Sequence, residues 1–202
     1  MEKIKIFLSK SILAGIYINM AATIYLSVSN KVIGSILFTF GLFAVLVTQS
    51  ILYTGMAGYY PIKPIKDIIL ALIGNIIGCI LYSVCYSFVD NCKNIKPLAY
   101  SVCDTKLSAP LISTFFASVF CGMLMFIAVD TFNKNKNIIG VIVVILCVSG
   151  FILAGFEHSI ANISYIGLAQ YHITLDVCLK ILIMITGNFI GSVLVRLLIE
   201  NK

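Results

Sequence analysis

Apolar residues run through this chain in long blocks separated by short polar connectors. A helix needs roughly 20 residues to cross a bilayer. Six blocks meet that length: residues 11–29, 34–59, 68–89, 109–130, 138–167 and 177–199. A polar loop, residues 90–108, is expected between the third and the fourth. The pattern predicts an all-α integral membrane protein of six transmembrane helices forming a single transmembrane domain, residues 1–202.

Two of the blocks are irregular. The second carries Thr48-Gln49-Ser50 and then Thr54-Gly55-Met56-Ala57-Gly58. The fifth carries Ser149-Gly150, Gly155 and the run Glu157-His158-Ser159-Ile160-Ala161-Asn162. Polar and glycine residues at mid-membrane depth weaken a continuous helix, and the freed backbone groups are tolerated where they are buried in protein or line a cavity. Both segments are expected to be broken helices, with a kinked helix packed among neighbours as the plainer alternative.

The two halves also echo each other. Gly74-Asn75-Ile76-Ile77-Gly78 in the third segment matches Gly187-Asn188-Phe189-Ile190-Gly191 in the sixth. Small residues four apart let helices approach closely. With the paired breaks, the match suggests a three-plus-three duplication, residues 11–89 and 109–199. An odd number of spans per half makes such a repeat inverted, and inverted repeats with interrupted helices place a transport site near the midplane.

Composition supports the membrane assignment: of 202 residues, 60% are hydrophobic and 11% charged, with a mean hydropathy of +1.07. A soluble domain carries about 25% charged residues. The net charge of +6 implies no nucleic-acid partner, because basic residues gather at the cytoplasmic ends of membrane helices. With the N-terminus inside, Lys3, Lys5, Lys10, Lys63, Lys66, Lys134, Lys136, Arg196 and Lys202 are cytoplasmic, against Lys31, Lys93, Lys96, Lys106 and Lys180 outside. That asymmetry favours a multi-pass cell (plasma) membrane protein with both termini cytoplasmic. Met1 to Lys5 resembles the charged region of a signal peptide. The following apolar stretch is nevertheless long enough to span and no small-residue cleavage site follows, so an uncleaved first helix is expected. Of seven cysteines, Cys79, Cys85, Cys121 and Cys147 fall in apolar runs as small core residues. Cys92 and Cys103 share the polar loop as a candidate disulfide pair. No metal-ligand cluster and no cofactor motif is present.

Between Ile138 and Gly167, Glu157 and His158 are the only acidic or basic residues. A charge at bilayer depth costs about 2.5–3.5 kcal/mol on insertion scales, so such residues face a protein interior or a water-filled path. A buried neutral His158 can donate a hydrogen bond or pass a proton to a small anion; a buried histidine satisfied by a neighbour is the alternative. Glu157, adjacent on the chain, points elsewhere and is expected to cap or bond the broken backbone, with Asn162 as a further structural support. Thr54 occupies the corresponding break, and its hydroxyl both donates and accepts. Lys106, in Asp104-Thr105-Lys106-Leu107-Ser108-Ala109-Pro110, either draws anions into a vestibule or snorkels at the interface.

Several of these motifs resemble the formate/nitrite transporter family. Gly155-Phe156-Glu157-His158-Ser159-Ile160-Ala161-Asn162 is similar to the family's G-F-E-H-x-x-A-N. Ile51-Leu52-Tyr53-Thr54-Gly55 resembles its L-F-T-G loop, with Tyr for the usual Phe. Gly187-Asn188-Phe189-Ile190-Gly191 matches its last-helix motif. Lys106 precedes Gly122 by sixteen residues, the spacing the family uses between its pore Lys and a position in the fourth helix. The resemblance covers nearly the whole chain. It implies an aquaporin-like fold, a homopentamer with one pore per protomer, and passage of a small anion: formate, nitrite or hydrosulfide. It implies that His158 is the central pore histidine, Thr54 its partner and Lys106 the anion lure. Leu42 and Tyr53 would form one hydrophobic constriction, and Phe151 part of the other. Gly122, where many members carry Asn, and a compact connection after the fifth segment depart from the pattern.

The physical problem is moving a small anion past apolar constrictions, where a bare charge is strongly disfavoured. A weak acid avoids that cost by crossing in its neutral form. Conduction of a neutral solute such as water or glycerol is the rival on the same architecture, and the lack of paired N-P-A motifs counts against it. An intramembrane enzyme using Glu157 and His158 is more remote. The run is not H-E-x-x-H, and no second His or carboxylate cluster completes a metal site.

Overall fold

The computed structural model describes residues 2–200; Met1 and Lys202, both used above, lie outside them. Nine α-helices account for the described chain: α1 Glu2–Leu26, α2 Lys31–Val47, α3 Tyr53–Met56, α4 Ile65–Tyr86, α5 Cys92–Leu107, α6 Leu111–Lys134, α7 Ile138–Leu153, α8 Ser159–Ala169 and α9 Leu175–Glu200. A short 3-10 turn, Ala57–Tyr59, follows α3. Helices α1, α4, α6 and α9 are long and apolar enough to cross a membrane. The first of them begins nine residues earlier than its apolar block suggested, because a helix outlasts the apolar stretch that anchors it.

The second and fifth segments are interrupted. Helix α2 ends at Val47 and α7 at Leu153, each in a Schellman arrangement. The Ser50 N–H bonds Val45 O at 2.9 Å and the Phe156 N–H bonds Phe151 O at 2.9 Å. The residue between must adopt positive φ; these are Gln49 at +55° and Gly155 at +71°. Each chain then runs extended through one residue, Leu52 or His158, into a short helix. Both parent helices also start alike, on an asparagine whose side chain accepts from the first-turn amides: Asn30 for α2 and Asn137 for α7.

The long helices pack in pairs, α1 on α4 and α6 on α9. Glycine sets the distance at the same points in each pair. A methyl on Gly15 would lie 2.1 Å from Asn75 O, and one on Gly122 would lie 2.2 Å from Asn188 O. Gly78 meets Ile12 O at 2.0 Å and Gly191 meets Val119 O at 1.9 Å in the same sense. Only a residue without Cβ permits this approach. Gly122 is thus a helix-packing residue against the α9 backbone.

Residues 90–108 are not a loop. Most of them form α5, which packs against α8 through Ile95, Ala99, Cys103 and Leu107. Cys92 and Cys103 lie at opposite ends of this one helix, about 16 Å apart along its axis at 1.5 Å per residue, far beyond disulfide reach; both are free thiols. Lys180, counted above as a topological charge, is buried and donates to Leu107 O and Ala109 O, closing the C-terminal end of α5. Large apolar side chains such as Ile36, Phe40, Ile73, Ile80, Phe116 and Phe120 remain exposed, as expected of faces turned to lipid.

Candidate functional site

The two helix breaks are pinned by the two asparagines of the repeated G-N-x-x-G. Asn75 Oδ1 accepts from the Tyr53 N–H at 2.7 Å, and its Nδ2 donates to Ile51 O at 2.9 Å and Ser11 O at 2.8 Å. Asn188 Oδ1 accepts from the Ser159 N–H at 2.9 Å, and its Nδ2 donates to Glu157 O and Ser118 O, both at 2.8 Å. Each amide thus satisfies a donor and an acceptor on either side of one extended residue. A broken backbone at this depth requires such partners. The sequence motif was legible as a helix contact through its glycines; what its asparagine bonds was not.

Pinning the breaks brings Thr54 and His158 together. Thr54 Oγ1 lies 2.9 Å from His158 Nε2, and both residues are buried. His158 also caps its own short helix: Nδ1 accepts from the Ala161 N–H at 3.1 Å. An acceptor Nδ1 places the proton of the neutral ring on Nε2, so Nε2–H donates to Thr54. The cap expected of Glu157 is therefore supplied by His158. The carboxylate of Glu157 instead binds Lys106 Nζ at 2.9 Å and accepts from Asn162 Nδ2 at 2.7 Å. Lys106 is consequently an ion-paired residue, not a free charge.

Aromatic residues close around the histidine. Phe151 stacks on it with centroids 5.4 Å apart, and Phe38 meets Phe151 edge-on at 6.2 Å. On one side of this layer is a small cavity of about 50 Å3, whose lining includes Lys106, Phe151, His158, Asn162, Tyr25 and Tyr165. A water needs roughly 10–15 Å3 by that measure, so the space suits an ion of a few heavy atoms. On the other side is a cavity of about 300 Å3 whose lining includes Leu42, Leu52 and Gly55; Gln49, Lys63 and Asn133 at its rim are exposed. Tyr53, expected beside Leu42, does not line it. Its hydroxyl donates to Ile185 O on α9 at 2.9 Å, and Leu52 takes the lining position. Phe38, Tyr25 and Tyr165 went unnoticed in the sequence, and Leu52 stood out there only as a member of its motif. Only Tyr165 had a periodic signal, standing four and seven residues after Ala161 and His158.

A polytopic helical fold with one polar pair buried between two cavities defines a membrane protein built around a narrow midplane passage. Comparison with known proteins names its kind. The family model described as formate/nitrite transporter matches residues 1–200, and the chain belongs to that family, whose members are transporters and not enzymes. Among curated proteins it is similar to the nitrite transporter NirC of Escherichia coli (strain K12) and of Shigella flexneri. Each is 27% identical over 103 residues, which is 49% of this chain and 38% of the relative. The match thus spans about two fifths of the relatives' length. Among solved structures, an FNT family ion channel superposes with a TM-score of 0.84 at 22% identity, covering 96% of this chain and 89% of the other. A pentameric formate channel with formate bound gives 0.85 at 23%, covering 100% and 99%. At these identities the likeness is one of fold.

Proposed function

We propose that this chain is a channel or transporter for small monovalent weak-acid anions, with formate, nitrite and hydrosulfide as the candidates. The observation that carries the reading is the Thr54–His158 contact at the junction of the two helix breaks, between two cavities. Phe38, Leu42 and Phe151 are buried apolar side chains on this path, and an unsolvated anion is strongly disfavoured in such surroundings. A neutral acid is not. Lys106, held by Glu157, keeps a cation at the small cavity. The N–H donors that Glu157 leaves free on the ammonium hold the anion, and a proton from solvent or through the His158 region yields the neutral form. The donors that meet it at the narrowest layer are His158 Nε2–H and the Thr54 hydroxyl. Release into the larger cavity regenerates the anion.

The architecture we infer is six spans in two inverted repeats, residues 11–89 and 109–199. It is supported by the matched caps, matched glycine contacts and matched asparagine bonds. The Lys/Arg distribution favours both termini in the cytoplasm, and with that orientation we take the small cavity to face outward and the large one inward, in the cell membrane. The pentameric solved neighbour supports a homopentamer with one pore per protomer.

Uptake of formate, nitrite and hydrosulfide into proteoliposomes, measured across pH, tests the reading. Flux is expected to fall as external pH rises above the acid range, and His158→Phe and Thr54→Val are expected to cut it at least tenfold. A pH-independent flux untouched by His158→Phe would overturn it. A stopped-flow glycerol arm separates anion passage from neutral-solute conduction.

A further inference from the structure

The small cavity is built from more than an ion pair. Asn162 and Tyr165 are three residues apart on α8, a spacing that places side chains on one helical face, and both line it beside His158, the extended residue that caps the helix. Tyr25, in the last turn of α1, adds a second phenol, its ring 6.4 Å from that of Tyr165. Tyr165 is 5% exposed. A buried tyrosine ordinarily finds a partner for its hydroxyl, as Tyr53 does here. Among the described residues, the Tyr25 and Tyr165 hydroxyls bond no protein group. Nor are they sealed away: the fully enclosed unpartnered side-chain atoms are Asn19 Oδ1, Ser149 Oγ, Ser159 Oγ and Arg196 Nε. The two phenols therefore keep their hydrogen-bonding capacity open to the cavity.

Lys106 stands in the same wall with its charge already balanced by Glu157 at 2.9 Å. An ammonium has three N–H donors, so two remain. The cavity thus offers converging N–H and O–H donors around a space for a few heavy atoms, and its one carboxylate is engaged by Lys106 and Asn162. Resting on the anion-pathway reading above, we infer that Tyr25, Tyr165 and Lys106 form a subsite selecting a two-oxygen monoanion, the carboxylate or nitrite geometry, over hydrosulfide. Two oxygens can each take an O–H···O⁻ bond, the short and strong kind, while the ammonium bridges them. The single, larger sulfur of hydrosulfide accepts at longer distances than oxygen and cannot engage both phenols at oxygen distances.

Tyr25→Phe and Tyr165→Phe remove one hydroxyl each and keep the rings. In proteoliposomes each is expected to raise the half-saturating concentration for formate and nitrite roughly tenfold, with maximal rates changed far less. The hydrosulfide-to-formate preference is expected to rise by a similar factor. A purely structural role would shift all three anions together, and that result, or no shift at all, overturns the subsite. Calorimetric titration of formate into the detergent-solubilised protein provides the second measurement, with size-exclusion profiles showing that the variants assemble. Should the wild-type protein bind formate but pass no anion, with binding weakened tenfold by the Phe variants, the subsite stands and the transport reading falls. Formate binding that is absent, or indifferent to both phenols, sinks the subsite whatever the flux.

Discussion

Replacing Asn188 by Ala should unlatch the second helix break. The side chain is fully buried and makes three hydrogen bonds, accepting from the Ser159 N–H and donating to Glu157 O and Ser118 O. Ser118 lies inside α6, so its carbonyl retains the helical ladder. The Ser159 N–H and Glu157 O flank an extended residue and have no such fallback. Orphaning two buried groups costs about 2–6 kcal/mol by soluble-protein values. Membrane double-mutant cycles average about 0.6 kcal/mol per bond, which puts the floor near 2 kcal/mol for three. The floor governs if the break relaxes; the glycines around it, with α9 lodged against Gly122 and Ser118, leave little room to relax. For a chain of this size even the floor corresponds to a fall of roughly 4–8 °C in the thermal midpoint, readable by fluorescence-detected size exclusion in detergent. Because Glu157 and Ser159 bracket His158, formate flux should fall with it. Asn188→Asp keeps the acceptor and loses the donors, so it should lie between wild type and Ala. An Ala variant within a degree or two of wild type and fully active would refute the latch.

The ion pair and the glycine contacts give further tests. Lys106→Ala leaves the buried Glu157 carboxylate unpaired, a loss of about 3 kcal/mol, near the low end because the Lys106 side chain is 22% exposed. Adding Glu157→Gln, which keeps an acceptor for Asn162, should recover most of the thermal stability but not the anion uptake; a double variant as unstable as the single one would show that charge imbalance is not the cause. Gly122→Ala drives a methyl to 2.2 Å from Asn188 O and should cost roughly 1–3 kcal/mol. Gly150→Ala, with nothing within 4 Å, should be neutral or stabilising by up to about 1 kcal/mol; equal effects at the two sites in a thermal-shift comparison would discredit the packing geometry.

Much of the site was legible because its residues were conspicuous. Glu157 and His158 stand alone in apolar surroundings, Gly155 supplies the positive φ that ends α7, and Thr48-Gln49-Ser50 betrays the other break. Roles were harder to read than places. Which of Glu157 and His158 caps α8 depends on the direction each leaves an extended backbone, and neighbouring residues on a chain do not reveal that. Tyr53 and Leu52 were interchanged for the same reason, since a one-residue step along extended chain turns the side chain to the other face. Helix α5 was missed because its burial is confined to one stripe, Ile95, Ala99, Cys103 and Leu107, within an otherwise polar stretch containing Pro97. Gly122 stands out in the sequence only as a departure from the family's Asn, whereas its surroundings are the backbone of α9.

The correspondence between the halves isolates where function enters. Ile51 answers to Glu157 and Tyr53 to Ser159 through the two asparagines, and the amides of Ile51 and Glu157 bond Lys10 O and Ala117 O in turn. The extended residue between them is Leu52 in one half and His158 in the other. Leu52 gives α3 no side-chain cap and faces the larger cavity; His158 caps α8 and faces the smaller one. One frame, differing at its central residue, thus presents an apolar wall to one side and a hydrogen-bonding ring to the other. Leu52→Ser reverses that division on purpose. The hydroxyl can accept from the first turn of α3, as serine does at a helix start, worth about 1 kcal/mol, against about 2–5 kcal/mol for truncating a leucine that is 3% exposed. The net loss is about 1–4 kcal/mol, and size-exclusion profiles show whether the variant assembles. The apolar layer beneath Thr54 would be wetted, and a charged solute would no longer need to be neutralised. Proteoliposomes bearing Leu52→Ser should therefore leak chloride or protons under a gradient that the wild-type protein holds, and their formate flux should lose much of its dependence on pH. A variant that folds, stays tight and keeps the wild-type pH profile would show that Leu52 is not the barrier and that the discrimination against charge resides wholly in the Phe38–Phe151–His158 layer.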